Sequence, residues 1–463
     1  MKRGHGESGG FQAAPGAGEF DVVVAGGSCT GVFAAVRAAE AGCRVALVEA
    51  AGGFGGTATQ GLVPIWHSLF SADGRTKIIG GLTDEVEREL VRRGEARMEA
   101  PDNPARGALL NVAGLQMLLD GLVAAQPRIT PFLHTRLAAA ECDRPGRVAA
   151  VVVADKSGLR RLRGRFFVDA TGDADLCRFA GLPVWRQPKE SMQAHTLCAI
   201  LAGADRIRAK HPDFSFDELM RPERGAGLGH VYGWGAEVLG AEGLFFHAYT
   251  RVADCDPSVP GDLTRAEIEG RAQLRRIVDA ANRAFPMPPG EGLSVVALAA
   301  HAGLRESCHV DSPHRVTADE ILGGRRFDDC IARGSYRVDI HEGAGITFKY
   351  LDGRFERTVA DGAGGTRYET GRWREARADA PTWYEIPYRS IVPKGAENVL
   401  APGRALDCDR DAYGACRVMV NCNQMGEAAG RAAANALARG LPAAEAFLPV
   451  PLPPADGAGR EIG

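Results

Sequence analysis

The sequence predicts an α/β fold: a parallel, nucleotide-binding βαβ unit at the N-terminus whose sheet is completed near the C-terminus, with a mixed α+β domain inserted between. Three stretches carry this reading. VVVAGGSCTGVFAAVRAAEAGCRVALVEA, residues 22–50, reads as strand, glycine turn, helix and strand within about 30 residues. RFFVDATGD, residues 165–173, ends an apolar strand in a second glycine turn. Residues 398–440 read as strand, Gly-Arg loop and a long alanine-rich helix.

At 463 residues the chain exceeds the roughly 250–300 at which one core stops growing, so two packed domains are expected. Hydrophobic residues make up 45% and charged residues 24%, which is ordinary for a globular protein. A formal charge of -3 gives no general attraction to nucleic acid or an anionic membrane, and neither is expected as a partner. No apolar run reaches the ~18 residues of a membrane helix. The first residues, MKRGHGESGGFQAAPGAGEF, lack the apolar region of a secretory signal, and 1–18 are expected to be a disordered Gly/Ala-rich tail. Eleven cysteines, an odd number with no CxxC and no metal-ligand spacing, point to reduced thiols, a cytoplasmic location and no metal site. The missing CxxC also argues against disulfide reductase chemistry.

Within the first stretch, FDVVVAG is a buried parallel strand ending in glycine. Val32, Ala35, Val36 and Ala39 follow at helical spacing, with Gly42 as the stop. CRVALVEA is the second strand, with Glu49 at its carboxyl end. The G-x-G-x-x-G pattern falls on Gly26, Ser28 and Gly31, with an additional Gly27. Gly26 makes the tight turn and Gly31 lets the helix pack on the strand. Ser28, in place of the middle glycine, adds a hydroxyl that can itself bind phosphate at a helix N-terminus. Glu49 stands near the ~20-residue offset of the carboxylate that binds ribose hydroxyls, and its charge would repel a 2′-phosphate. A glycine turn that binds nothing is the other reading of this motif taken alone.

The next segment narrows the nucleotide. AAGGFGGTATQGLVP places a second glycine-rich loop directly behind Glu49, an arrangement FAD enzymes need and NAD-binding folds do not. Gly55 and Gly56 let the chain pass close to the cofactor, and Thr57 and Thr59 offer hydroxyls. Before ATGD, residues 148–168 read as strands around a DKSG turn. Gly172 and Asp173 then lie at the strand end. Near the C-terminus Gly403 and Arg404 form a loop. A helix beginning near Met419, preceded by Val418, would direct its N-terminal dipole at the flavin.

Together GGSCTG, GGTATQG, ATGDAD, GLRES, RGSYRVDIH, YEIPYRSIVPKGAENVLAPGRALDCD and GACRVMVNCNQMGEAAG resemble the FAD-dependent oxidoreductase family. That family belongs to the glutathione-reductase-type flavoprotein superfamily, with fumarate-reductase-like and hydroxylase-like relatives. The resemblance spans nearly the whole chain. It implies a Rossmann-like FAD-binding domain with an inserted mixed α+β substrate domain, and non-covalent FAD held across both ends of the chain. The expected divisions are 19–182 and 395–445 for the FAD-binding domain, 183–394 for most of the substrate domain and 446–463 for a Pro/Gly-rich tail. The C-terminal cofactor segment is expected to supply Gly403, Arg404, Asp409, Gly414, Val418 and Met419. The sequence departs from the family pattern at Ser28, at Cys308 and His309 after Arg305-Glu306-Ser307, and at Asn421 and Cys422.

No second strand–GxGxxG–helix unit occurs in 185–395; GAGLGH at 225–230 follows LMRPER and reads as a mobile loop. Electrons therefore stay within one substrate-to-acceptor cycle or arrive from transiently bound NAD(P)H. A flavin oxidising C–H beside O–H or N–H needs a base, and an arginine to orient a carboxylate, phosphate or carbonyl. Histidines 195, 301, 309, 314 and 341 and arginines 305, 389 and 417 are the candidates. Asp339 and His341 are two apart, so on a strand they share a face and the carboxylate can hold the imidazole. His341 with Asp339 is the first choice for base, beside the reading of a structural pair joining the domains. Arg305 with His309 is the second, with an ion pair of Arg305 and Glu306 as its bland counterpart. His195 is the third, and Cys308 reads as a buried small hydrophobe.

The expected function is oxidation or reduction of a small organic substrate by hydride transfer at flavin N5. The alternatives are an NAD(P)H-dependent flavin monooxygenase, with oxygen as co-substrate, and a non-catalytic flavin-binding protein. The oligomeric state stays open.

Overall fold

The computed structural model describes residues 16–100, 106–220, 228, 232–342, 345–360, 366–451 and 453. Its first sheet is built on β1 (Gly16–Ala25), which pairs in parallel with β2 (Val45–Val48), and β2 pairs in parallel with β3 (Ile129–Phe132). On the other side β1 runs parallel to the last strand of a meander formed by β4 (Arg136–Arg144), β5 (Arg147–Asp155) and β6 (Gly158–Asp169). The order is β3-β2-β1-β6-β5-β4. Val22, Val23, Val24 and Ala25 are all fully buried, because both faces of the central strands are covered. β1 begins at Gly16, so residues 16–18 of the expected tail are strand, with Gly18 paired to Leu162; residues 1–15 lie outside those described.

Helix α1 (Cys29–Glu40) connects β1 to β2 and is buried along most of its length. Among the described residues the inserted region holds, besides two short two-stranded sheets, two four-stranded antiparallel ones. One contains β7 (Ala199–Ala202), β8 (Trp234–Glu237), β9 (Leu244–Ala248) and β10 (Ser294–Leu298), ordered β8-β9-β7-β10. Its long helix α2 (Pro260–Ala284) buries Leu274, Ile277 and Val278 in the same core as Phe216, Phe245 and Tyr249. The other is the meander β11 (Val338–His341), β12 (Ile346–Lys349), β13 (Arg354–Ala360) and β14 (Thr366–Arg372). GAGLGH at 225–230 lies outside the described residues apart from Leu228. The chain is thus mixed α/β, with a largely parallel sheet and antiparallel insertions.

Strand β15 (Val399–Leu400) then returns to the first sheet, parallel to β6. After α3 (Arg410–Cys416) comes α4 (Met419–Arg439), starting where the sequence places its helix. Helix α4 lies on α1 with its backbone touching. A Cβ added at Gly426 would stand 2.2 Å from the Thr30 carbonyl oxygen, and one at Gly430 would stand 2.2 Å from that of Ala34. Beside this contact Arg37 Nε donates to Glu427 Oε2 at 2.8 Å, and the other carboxylate oxygen accepts from Leu82 N at 2.9 Å. The last described residues stay attached: Ala443 and Ala446 are buried, and Arg333 donates to the Pro453 carbonyl at 2.6 Å.

This contact makes a measurable distinction between glycines. Gly121, in the exposed face of the helix Val112–Ala124, has nothing within 4 Å of an added Cβ. Gly121→Ala should stabilise by ~0.5–1 kcal/mol through helix propensity. Gly430→Ala shares that gain but must push the helices apart, and should destabilise by ~1–3 kcal/mol in urea unfolding. Equal effects of the two substitutions would contradict the close approach.

Candidate active site

A cavity of about 1060 Å³ lies between the first sheet and the insertion. That exceeds the ~300–1,000 Å³ of a typical small-ligand site. One end of it is made by the turn after β1. Gly26 has φ +103°, and a Cβ there would meet the Ala170 carbonyl oxygen at 2.2 Å, so the ends of β1 and β6 come together at this turn. Ser28 caps α1 without a side-chain bond to the helix, which leaves its hydroxyl and the first-turn amides facing the cavity. Gly55 N donates to Gly27 O at 2.9 Å, pinning the second glycine loop beside the first, and Gly55, Gly56 and Thr57 line the same wall. Glu49 also lines it, with Oε2 accepting from Gly27 N and Oε1 from Ala51 N, both at 2.7 Å. Two bonds leave carboxylate lone pairs for a ribose.

Segments distant in sequence close this end. Thr171, Gly172 and Asp173 line the cavity beside Gly403 and Arg404, and Arg404 Nη2 pairs with Asp173 Oδ1 at 3.1 Å. Arg404 also donates to the Leu304 carbonyl. Val418 caps α4 with no side-chain bond, so a second open helix N-terminus, with Met419, faces the cavity. In its second turn Asn423 is fully buried, lines the cavity and has neither amide atom hydrogen-bonded. An unpaired buried amide, two open helix N-termini and a glycine cradle fit a dinucleotide cofactor.

Other residues expected at the cofactor do different work. Gly31 lets α1 reach the turn, since its Cβ would stand 1.8 Å from Gly26 O. Thr59 Oγ1 donates to Phe54 O at 2.6 Å and closes its own loop. Gly27 donates its amide to Glu49. Asp409 caps α3 by accepting from Ala412 N and also accepts from Ala318 N, both at 2.8 Å. Gly414 packs α3 on β11, where a Cβ would come 2.9 Å from the Asp339 backbone.

The opposite end is cationic. Arg251, Arg305, Arg337 and Arg417 all line it, around Asp339 and His341 on β11. Arg417 Nη2 lies 3.2 Å from Asp339 Oδ2, and Tyr336 Oη donates to the same oxygen at 3.0 Å. His341 Nε2 stands 3.0 Å from Asp339 Oδ1, and Nδ1 faces Arg251 Nη2 at 3.3 Å. The ring therefore carries its proton on Nε2 and accepts from Arg251. Burial and the Arg305 guanidinium push His341 down to about 3, while His341 and the arginines hold Asp339 well below the usual carboxylate range despite its burial. The imidazole is neutral at pH 7.

His195 lies outside the cavity wall: Nε2 bonds the Cys255 carbonyl at 3.1 Å and Nδ1 accepts from Arg305 N at 3.3 Å. Both ring nitrogens are engaged, and burial pushes it down to about 4. His309 is also away from the cavity, stacked on Trp185 at 4.6 Å with Nδ1 on Leu406 O at 3.0 Å. Arg305 pairs with neither Glu306 nor His309; its Nη1 donates to Ala194 O at 2.6 Å and Thr196 Oγ1 at 2.8 Å. His301 lines the cavity, His314 bonds Glu320 and Arg389 pairs with Asp329. Cys308 is buried in the core beneath the meander. Sequence reasoning missed Arg337, Arg251, Tyr232, His67 and Asn423. Only Arg337 carried a signal, since it continues the alternation of Asp339 and His341 one step back.

A family profile described as FAD dependent oxidoreductase matches residues 21–446. No curated protein matches the chain. Among solved structures, p-nitrophenol 4-monooxygenase PnpA from Pseudomonas putida DLL-E4 is similar at 12% identity, over 93% of this chain and 81% of that one, with a TM-score of 0.43. A geranylgeranyl bacteriochlorophyll reductase-like protein from Thermoplasma acidophilum is similar at 14% identity, over 91% and 79%, with a TM-score of 0.47. PqsL from Pseudomonas aeruginosa is similar at 15% identity, over 93% and 90%, with a TM-score of 0.41. With its profile covering almost the full length and its glycine cradle built for a dinucleotide, the chain belongs to the FAD-dependent oxidoreductase family, and its cofactor is FAD.

Proposed function

We propose that the protein oxidises or reduces a small organic molecule, with FAD held at the glycine-lined end of the cavity and the substrate at the arginine-lined end. The observation that supports this most is the continuity of the cavity: Ser28, Gly56 and Arg404 border the same space as Arg305, Asp339 and His341. Bound FAD supplies two-electron redox chemistry through its N5 position. The open N-termini of α1 and α4 bind its anionic parts, Glu49 takes the ribose, and Asn423 offers one donor and one acceptor. Arg404 lies close to Asp173, which compensates its charge.

At the other end Asp339 holds the His341 ring by its Nε2–H. Nδ1 is the atom positioned to take a proton, once Arg251 releases it. The surrounding guanidinium groups make it a weak base in the free protein, so a negatively charged occupant would strengthen it. Wall residues from both sheets of the insertion, Trp234 and Phe348 among them, exclude water.

The purified protein should be yellow, release its flavin on acid precipitation and keep an unchanged absorption spectrum when NADH or NADPH is added anaerobically. Bleaching by either nucleotide would move the reading to an NAD(P)H-dependent monooxygenase or reductase, and a colourless protein that takes up no added FAD would sink it. Glu49→Arg should abolish or severely weaken FAD binding while far-ultraviolet circular dichroism stays native. A variant that still purifies with a full complement of flavin would remove Glu49 from the ribose site.

A further inference from the structure

The arginine-lined end holds an unbalanced charge. Arg251, Arg305, Arg337 and Arg417 bring four positive charges to one wall, and Asp339 is the carboxylate facing each of them. The imidazoles there do not change this balance: His341 is pushed down to about 3 and His67 to about 4, and both are neutral. The strain falls on the guanidinium groups. Burial takes Arg305 down to about 9 and Arg251 to about 10, far below the ordinary range of the group least willing to lose its proton. Buried charge is normally paired, and here the pairing is incomplete.

Arg337 differs: despite its burial, the tyrosines and nearby Asp339 favour its charged form, and what it lacks is hydrogen-bond partners. Among the described residues it has no hydrogen-bond or ion-pair partner, and its Nε is buried without one. Its guanidinium lies over the Phe348 ring at 4.0 Å and near the rings of Tyr336 and Tyr350, each at 5.6 Å. Stacking fixes the plane and leaves the N–H edge for a ligand. Arg417 supports it: its Nη2 spreads over three acceptors at 3.1–3.3 Å, and its Nε is also unpartnered. The walls around these groups are flat. His67 stacks on Tyr336 at 5.3 Å and 29°, and Tyr232 meets Phe348 at 5.9 Å.

We propose that this end of the cavity recognises a planar organic carboxylate, whose two oxygens pair with the free edge of Arg337 beside Arg417 while its flat body lies among His67, Tyr232 and Tyr336. The proposal rests on the reading of the cavity as a joint flavin and substrate site, and names the substrate class that the reading leaves open. An arginine fork matches the two-oxygen edge of a carboxylate, and a neutral isostere leaves the same guanidinium groups buried and unpaired.

Benzoate, its neutral isostere benzamide and phenyl phosphate serve as probes, titrated into the FAD-loaded full-length protein and followed by flavin absorption and by calorimetry. Benzoate should bind at least about tenfold more tightly than benzamide, the size of one charged hydrogen bond. Arg337→Met should weaken benzoate by about tenfold or more, leave benzamide nearly unchanged and retain FAD; Arg337→Lys, which keeps the charge but not the fork, should fall between. Equal affinity for benzoate and benzamide, or Arg337→Met and Arg337→Lys that both bind benzoate like the parent, would overturn the proposal. Tighter binding of phenyl phosphate than of benzoate would overturn the choice of carboxylate. Failure of the flavin reading shows separately as protein without FAD, and calorimetry with benzoate on that flavin-free protein still decides the role of Arg337.

Discussion

The structure depends on one contact between backbones. Helix α4 lies so close to α1 that Gly426 and Gly430 have the Thr30 and Ala34 carbonyl oxygens where a side chain would be. That approach sets the N-terminus of α4 beside the N-terminus of α1, and so puts Val418 and Met419 in the same wall as Ser28. Larger side chains at the two glycines would hold the helices apart and open the cavity at its narrowest join. The Arg37–Glu427 bond, with Leu82 N on the second carboxylate oxygen, locks the sliding direction that small residues leave free.

The two ends of the cavity solve opposite electrostatic problems. At the glycine end, charge is recognised by backbone dipoles, which need no desolvation of an ion before the ligand arrives. At the arginine end, guanidinium groups are already out of water and only partly paired. Asp339 is essential to that arrangement: without it the wall would hold four buried cations and no anion. His341 is nevertheless neutral with a carboxylate 3.0 Å away, because burial and then the arginines outweigh that carboxylate.

Much of the glycine end was legible in the sequence because its chemistry is local. A strand, a turn and a helix in one run of chain present Gly26, Ser28 and Glu49 together, and the same holds for Gly55 to Thr57. Where the structure ties an expected site residue to the protein itself, the reason is physical. Gly414 is a glycine needed for packing against protein, and the sequence does not distinguish it from a glycine needed for packing against a ligand. Asp409 is a helix cap, a demand that an aspartate before a helix meets whatever else lies near it. His195 and His309 stood out only as histidines; both His195 ring nitrogens and Nδ1 of His309 are spent on carbonyls and an amide brought from other segments, and His309 is stacked on Trp185. Arg251 and Tyr232 reach the cavity from a different sheet than His341, so no spacing could have joined them.

The separation of α1 from α4 also has a consequence for how the chain comes into being. Arg37 and Glu427 are 390 positions apart, and β15, just ahead of α4, pairs with β6 across a long span of chain. During synthesis the N-terminal turn therefore leaves the ribosome long before the helix that completes its cavity, and Val32, Phe33 and Val36 wait without their final cover. Closing so long a loop is slow compared with forming local contacts. The late partner makes the cradle a checkpoint: a nascent chain interrupted before Met419 lacks the wall that would let it retain cofactor, so holding flavin would report that synthesis had passed α4.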